Sequence, residues 1–140
     1  MRIIVCGSRT LGTEDTITGD RDSDWSFIFR TLDMANAKQP IVELMHGDCP
    51  TGADAIAAAW ADGNGIPVVA IPADWKKHNK AAGPIRNREM AKSTPRKDWV
   101  IAFTDKPLEK SRGTNSMIYE AGKQGIPTHL FRVDLGTMEF

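Results

Sequence analysis

The sequence is poor in cysteine and aromatics, and it lacks long apolar runs and any excess of one charge. Each shortage excludes something. Two cysteines in 140 residues make no disulfide framework of the kind that staples small secreted domains, so a reducing, cytoplasmic setting is expected. No apolar run approaches the roughly 18 residues of a membrane span, and residues 1–7 are far too short for a signal peptide. Lys and Arg number 18, as do Asp and Glu, giving a net charge of zero. With aromatics at 7%, that balance argues against a dedicated nucleic-acid binder.

What is there suits one domain, expected over residues 1–140. Hydrophobic residues make up 41%, enough for a core without metal or disulfide staples. The zero charge is uneven. Residues 1–74 carry 5 basic and 11 acidic side chains, residues 75–97 carry 8 and 1, and residues 98–140 carry 5 and 6. The middle block can hold an anion locally or form a solvated face.

Five short apolar runs, at 2–6, 41–45, 67–71, 99–103 and 128–133, are mostly continuous rather than alternating. Strands covered on both faces read this way. Helical patterns separate them. Ser23 is a candidate N-cap for a helix with Trp25, Ile28, Phe29 and Leu32 on one stripe. Residues 53–61 place Ala53, Ile56, Ala57 and Trp60 together; Trp25 and Trp60 read as core. Pro84 suits the first residue of a third helix. A fourth begins near 113–114, runs through Met117, Ile118 and Ala121, and stops at Gly125 and Pro127. The alternation predicts a single-domain, three-layer α/β fold with a parallel sheet of about five strands.

Ligands bind such sheets beyond the strands' C-terminal ends. Three glycine-bearing segments fall there: Gly7-Ser8-Arg9-Thr10, residues 46–54, and Ser111-Arg112-Gly113-Thr114-Asn115. Glycine lets backbone N–H groups approach a ligand, and a helix start offers unpaired N–H donors. Ser8, Thr51 and Thr114 add hydroxyls; Arg9 and Arg112 can fork onto phosphate oxygens. Each segment alone reads equally as an ordinary βα turn, but three at one edge converge on a shared site. Neither G-x-G-x-x-G nor a Walker motif occurs, and no cofactor is expected. His46, Asp48, Cys49 and His78 are ligand-type residues without a second zinc-type pair, so no metal site is expected. The two cysteines read as buried free thiols. Arg86 and Glu89 lie three residues apart and either pair on the surface or face inward. Trp75 either packs over a base or caps the sheet.

The run of GSRT, HGDCPTGADAIAAAWA, PADWKKHNKAAGPIRNREM and SRGTNSMIYEA resembles the YspA branch of the SLOG superfamily, over nearly the whole chain. The resemblance implies a Rossmann-like fold, strand order 3-2-1-4-5, a nucleotide or nucleotide-derived small molecule as ligand, and a homodimer. It assigns Gly7, Ser8 and Arg9 to a first ligand loop. Gly47, Gly52, Ala53 and Asp54 form a second, and Gly113 and Thr114 the phosphate turn. Arg86, Asn87 and Met90 match a GPIRN-x-x-M segment. Asp48, Thr51 and Arg112 join these as candidate ligand contacts on their chemistry.

Related lonely-guy-type phosphoribohydrolases imply an alternative, N-glycosidic hydrolysis of a nucleoside monophosphate. Arg86 or Arg88 would match their arginine. Met117 stands where they carry a glutamate, so Glu89, Glu120, Asp48 or Asp54 would have to assist bond breaking. A DNA-processing SLOG relative suggests a further alternative, single-stranded nucleic-acid binding. Of the basic block, Arg86 and Arg88 are expected at the ligand. Lys76, Lys77, Lys80, Lys92, Arg96 and Lys97 are expected as a solvated rim.

Overall fold

The computed structural model describes residues 1–136 and Phe140. Its five strands are β1 (Arg2–Gly7), β2 (Glu43–His46), β3 (Val68–Ala70), β4 (Trp99–Thr104) and β5 (Thr128–Arg132). They form one sheet in the order β3-β2-β1-β4-β5, with every neighbouring pair parallel. The helices are α1 (Arg21–Lys38), α2 (Ala53–Gly63), the single turn α3 (Trp75–His78), α4 (Ala82–Lys92) and α5 (Arg112–Lys123). This is the α/β three-layer architecture that the alternation of apolar runs and helical stripes predicts.

The pleat explains the continuous apolar runs. Along β1, Ile3 and Val5 point to one face, where Phe27, Ile28 and Leu32 of α1 and Ile56, Ala57 and Trp60 of α2 cover them. Ile4 and Cys6 point to the other, beneath Met90 and Ala91 of α4 and Met117 and Ala121 of α5. A central strand therefore needs apolar residues at every position. Each large side chain buried here contributes about 1.5–3 kcal/mol.

Three local expectations are corrected. The N-cap of α1 is Asp20, whose carboxylate accepts from the backbone N–H of Ser23 at 3.0 Å; Ser23 lies inside the first turn. Trp25 is not core: it is 37% exposed, and its Nε1 donates to Gly12 O at 3.3 Å. Trp60 is buried, with Nε1 donating to Asp33 Oδ1 at 2.8 Å. Helix α4 starts at Ala82, two residues before Pro84. Proline is tolerated there because first-turn N–H groups have no intrahelical acceptor.

The basic block also divides differently. Lys97 is 1% exposed. Its Nζ donates to Pro95 O at 2.6 Å and lies 3.4 Å from Glu43 Oε1, at the strands' N-terminal edge. It is a buried structural cation, not rim. Lys76, Lys77, Lys80, Lys92 and Arg96 are exposed as expected.

Candidate functional site

A cleft of about 660 Å³ opens at the C-terminal edge of the sheet. It lies over the β1–β4 junction, where the strand order reverses, the place such sheets offer to ligands. All three glycine-bearing segments reach it. Gly7, Ser8, Arg9, Gly47, Asp48, Asp54, Arg86, Asn87, Arg112, Gly113 and Thr114 line it. Thr51, Gly52 and Ala53 do not; they brace the loop behind. Thr51 Oγ1 donates to Arg9 O at 3.0 Å, and Ala53 N–H donates to Ser8 O at 3.2 Å. Gly52 has φ +76°, and a Cβ there would lie 2.2 Å from Ser8 O, so only glycine lets the chain pass at this distance.

The two helix starts at the cleft differ in degree. At α2 the first donor is used internally, while among the described residues the N–H groups of Asp54 and Ala55 meet no acceptor. Ala53 N–H goes to Ser8, and the N–H groups of Gly47 and Cys49 both go to Asp54 Oδ2, at 3.1 and 3.2 Å. Burial pushes the Asp54 carboxyl above the usual carboxylate value, against the pull of those N–H groups, His46 and Arg86. At α5 the donors are open. Ser111, the N-cap, makes no side-chain cap bond. Asn115 N–H reaches Ser111 O at 2.8 Å. Among the described residues the N–H groups of Arg112, Gly113 and Thr114 meet no acceptor. Ser111 Oγ is buried against the cleft and also unpartnered.

Arg86 and Asn87 connect the walls. Arg86 Nη1 donates to Gly47 O, a short contact, and to Ile71 O at 3.3 Å; Nε donates to Asn87 Oδ1 at 2.9 Å. The buried Asn87 amide then donates to Gly113 O at 3.3 Å and Ser116 Oγ at 3.2 Å. The loops after β2 and β3 are thereby tied to the start of α5. Gly47 leaves room for this: a Cβ there would sit 2.5 Å from Arg86 Nη1, so the guanidinium would have to shift. Burial lowers the guanidinium pKa, and nearby Asp54 opposes that shift.

The hydrolase carboxylates lie elsewhere. Glu120 is buried between α4 and α5, 3.6 Å from Arg88 Nε and 3.2 Å from Lys123 Nζ; Arg88 is thus turned from the cleft. Glu89 does not line the cleft but borders an adjoining recess of about 170 Å³ with Asp74, Lys77 and His78, which shares Pro72 and Arg86 with the cleft. Asp48 and Asp54 are the carboxylates in the cleft, against five basic side chains: Arg9, Arg86, Lys106, Lys110 and Arg112. Lys106 and Lys110 were not singled out from sequence, since nothing in their spacing marks them; the β4–α5 connection brings them round. Trp75 also lines the cleft, at a position the sequence left open.

Of the two thiols, Cys6 is buried and Cys49 half-buried; both are free, and both line the cleft. Burial, with Asp54 beside it, pushes the Cys6 thiol up. His46 Nδ1 accepts from Asp48 N–H at 2.9 Å. Among the described residues no group of three or more His, Cys, Asp or Glu side chains is placed to hold a metal ion, and no helix is long and apolar enough to cross a membrane.

A parallel three-layer sheet with a cationic cleft at its switch point defines the Rossmann-like class. Within it, the model of the YspA, cpYpsA-related SLOG family matches residues 1–78. The chain is also 34% identical over 131 residues to the "Gene 61 protein" of Mycobacterium phage D29, covering 90% of this chain and 92% of that protein. The chain belongs to the YspA, cpYpsA-related SLOG family.

Proposed function

We propose that the cleft binds the phosphate and ribose of a nucleotide or nucleotide-derived small molecule. The observation that carries this is the open start of α5. Three free N–H groups and the unpartnered Ser111 hydroxyl face a cleft with more basic than acidic side chains. Helix starts of this kind favour anions through donors and dipole together. Family membership supports a nucleotide-related ligand. The reading takes residues 1–140 as one domain working in a reducing cytoplasm. The homodimer implied by the resemblance belongs to it, and light scattering checks that part.

Gly113→Asp tests the anion site. A Cβ at Gly113 meets nothing within 4 Å, and a carboxylate in a helix's first turn stabilises it by about 0.3–1 kcal/mol. The variant should fold at least as well as the native protein, yet lose tenfold or more in calorimetric affinity for ribose 5-phosphate and nucleoside monophosphates. Undiminished binding would remove the α5 start from the site.

Hydrolysis is the lesser reading. Glu89 and Glu120 stand outside the cleft, and Asp54 is held by two N–H groups. Released base from a nucleoside monophosphate would restore it, through Asp48 or Asp54.

A further inference from the structure

We infer that Trp75 is the stacking platform for the ligand's base, making the cleft selective for nucleotides with an aromatic base over phosphosugars. The inference rests on the anion-site reading and adds a second, chemically distinct subsite to it.

The cleft has two unlike walls, on opposite sides of β1. The β4–α5 connection supplies Lys106, Lys110, Arg112 and the open N–H groups. The connections after β2 and β3 supply Pro50, Pro72, Ala73 and Trp75, beside Asp48 and Cys49. A phosphosugar has nothing apolar to offer that second wall. A nucleotide has one apolar, flat end and one anionic end, and matches both.

Trp75 is placed for this. It opens α3, a single turn whose N-cap Asp74 accepts from Lys77 N–H at 3.1 Å. The indole backs onto α4: a Cβ built on Gly83 would lie 3.6 Å from Trp75 Cη2. Yet the residue remains 50% exposed, although burying an indole is favourable. Arg9 Cζ stands 6.0 Å from the ring centroid, the outer limit of a cation–π contact. The guanidinium therefore covers the ring loosely and is itself exposed. A base that enters here, moving the guanidinium outward, meets an aromatic face on one side and a planar cation on the other, two surfaces on which bases stack.

Calorimetry with adenosine 5′-monophosphate and ribose 5-phosphate, on the native protein, Trp75→Ala and Trp75→Phe, decides the matter. Stacking on an aromatic side chain is worth roughly 5- to 150-fold in affinity. The native protein should prefer the base-bearing ligand by about that factor. Trp75→Ala should erase the preference while leaving ribose 5-phosphate affinity unchanged, and Trp75→Phe should keep most of it. Equal binding of the two ligands by the native protein overturns the platform and leaves the anion site standing. Equal loss of both ligands in Trp75→Ala makes Trp75 a structural residue and overturns it too. If neither ligand binds the native protein, the anion site fails and the platform falls with it.

Discussion

Asp54 shows how one side chain couples loop structure to protonation. Its Oδ2 organises the loop after β2 by taking two N–H groups, but the charge is buried, with those N–H groups, His46 and Arg86 as partial offsets. A carboxyl whose folded pKa is raised binds its proton more tightly in the folded state. Its contribution to stability is full below the ordinary value of 3.8 and is lost as pH rises through the raised value. Asp54→Asn keeps an oxygen for both N–H groups and removes the charge. In urea unfolding between pH 4 and pH 8, the variant should match the native protein at the acid end and gain on it as pH rises. A difference that stays flat across that range would falsify the assignment. Asp54 and Arg86 stand out in the sequence through motif and spacing. What they do does not, because the partners they hold are main-chain groups. Arg86 clasps Gly47 O and Ile71 O, 39 and 15 residues away, and no pattern of side chains encodes a carbonyl's direction.

The elements themselves were largely legible. Strands covered on both faces leave continuous apolar runs, and all five runs hold strands. Helix ends were less so, for local reasons. Asp20 and Ser23 are both good capping residues three apart, and the tertiary fold chose the earlier one. Lys97, in the connection before β4, could not be placed from sequence because its partner Glu43 lies far off in the chain, on β2. The long connection before α1 shows what a single element end can hold. Asp24, buried in the first turn, accepts from Gly12 N–H at 2.9 Å and from the hydroxyls of Thr16 and Thr18, each at 2.6 Å. The loop is therefore fastened to the helix through one carboxylate. Hydrogen bonds to a charged group are worth about 1.5–3 kcal/mol each and are not additive. Asp24→Ala should cost at least about 2 kcal/mol in urea unfolding and expose residues 10–20 to limited proteolysis. Unchanged cleavage there would mean the loop is held by other contacts.

On the scale of the whole molecule, zero net charge conceals a division of labour between the ends of the sheet. The C-terminal edge gathers the cleft's cations, while the N-terminal edge spends Lys97 on Glu43. A ligand that binds only the folded state adds about 2.7 kcal/mol at one hundred times its Kd. For a chain of this size that is a rise in Tm of about 10 °C. The rise should shrink at high salt, since exposed Arg9 and Arg112 are screened. A nucleotide-induced rise indifferent to salt would place the binding energy outside the cationic wall. The three-segment convergence was visible in the sequence because βα connections of a parallel sheet emerge at one edge. Which donors stay open at the two helix starts was not, since that depends on what the fold has already consumed.

The connection from Ile71 to Ala81 carries a separate consequence. It is a short, mostly exposed stretch between β3 and α4. β3 is an edge strand of three residues. The connection shapes one wall of the cleft yet takes no part in the α5 start, and it touches the Arg86 clasp through Ile71 O. Exchanged as a cassette between relatives downstream of that carbonyl, it can alter what the cleft accepts while the fold and the anion end stay as they are. In a lineage or a laboratory, ligand preference can thus drift along ten residues of surface chain, the part of a protein that tolerates change best.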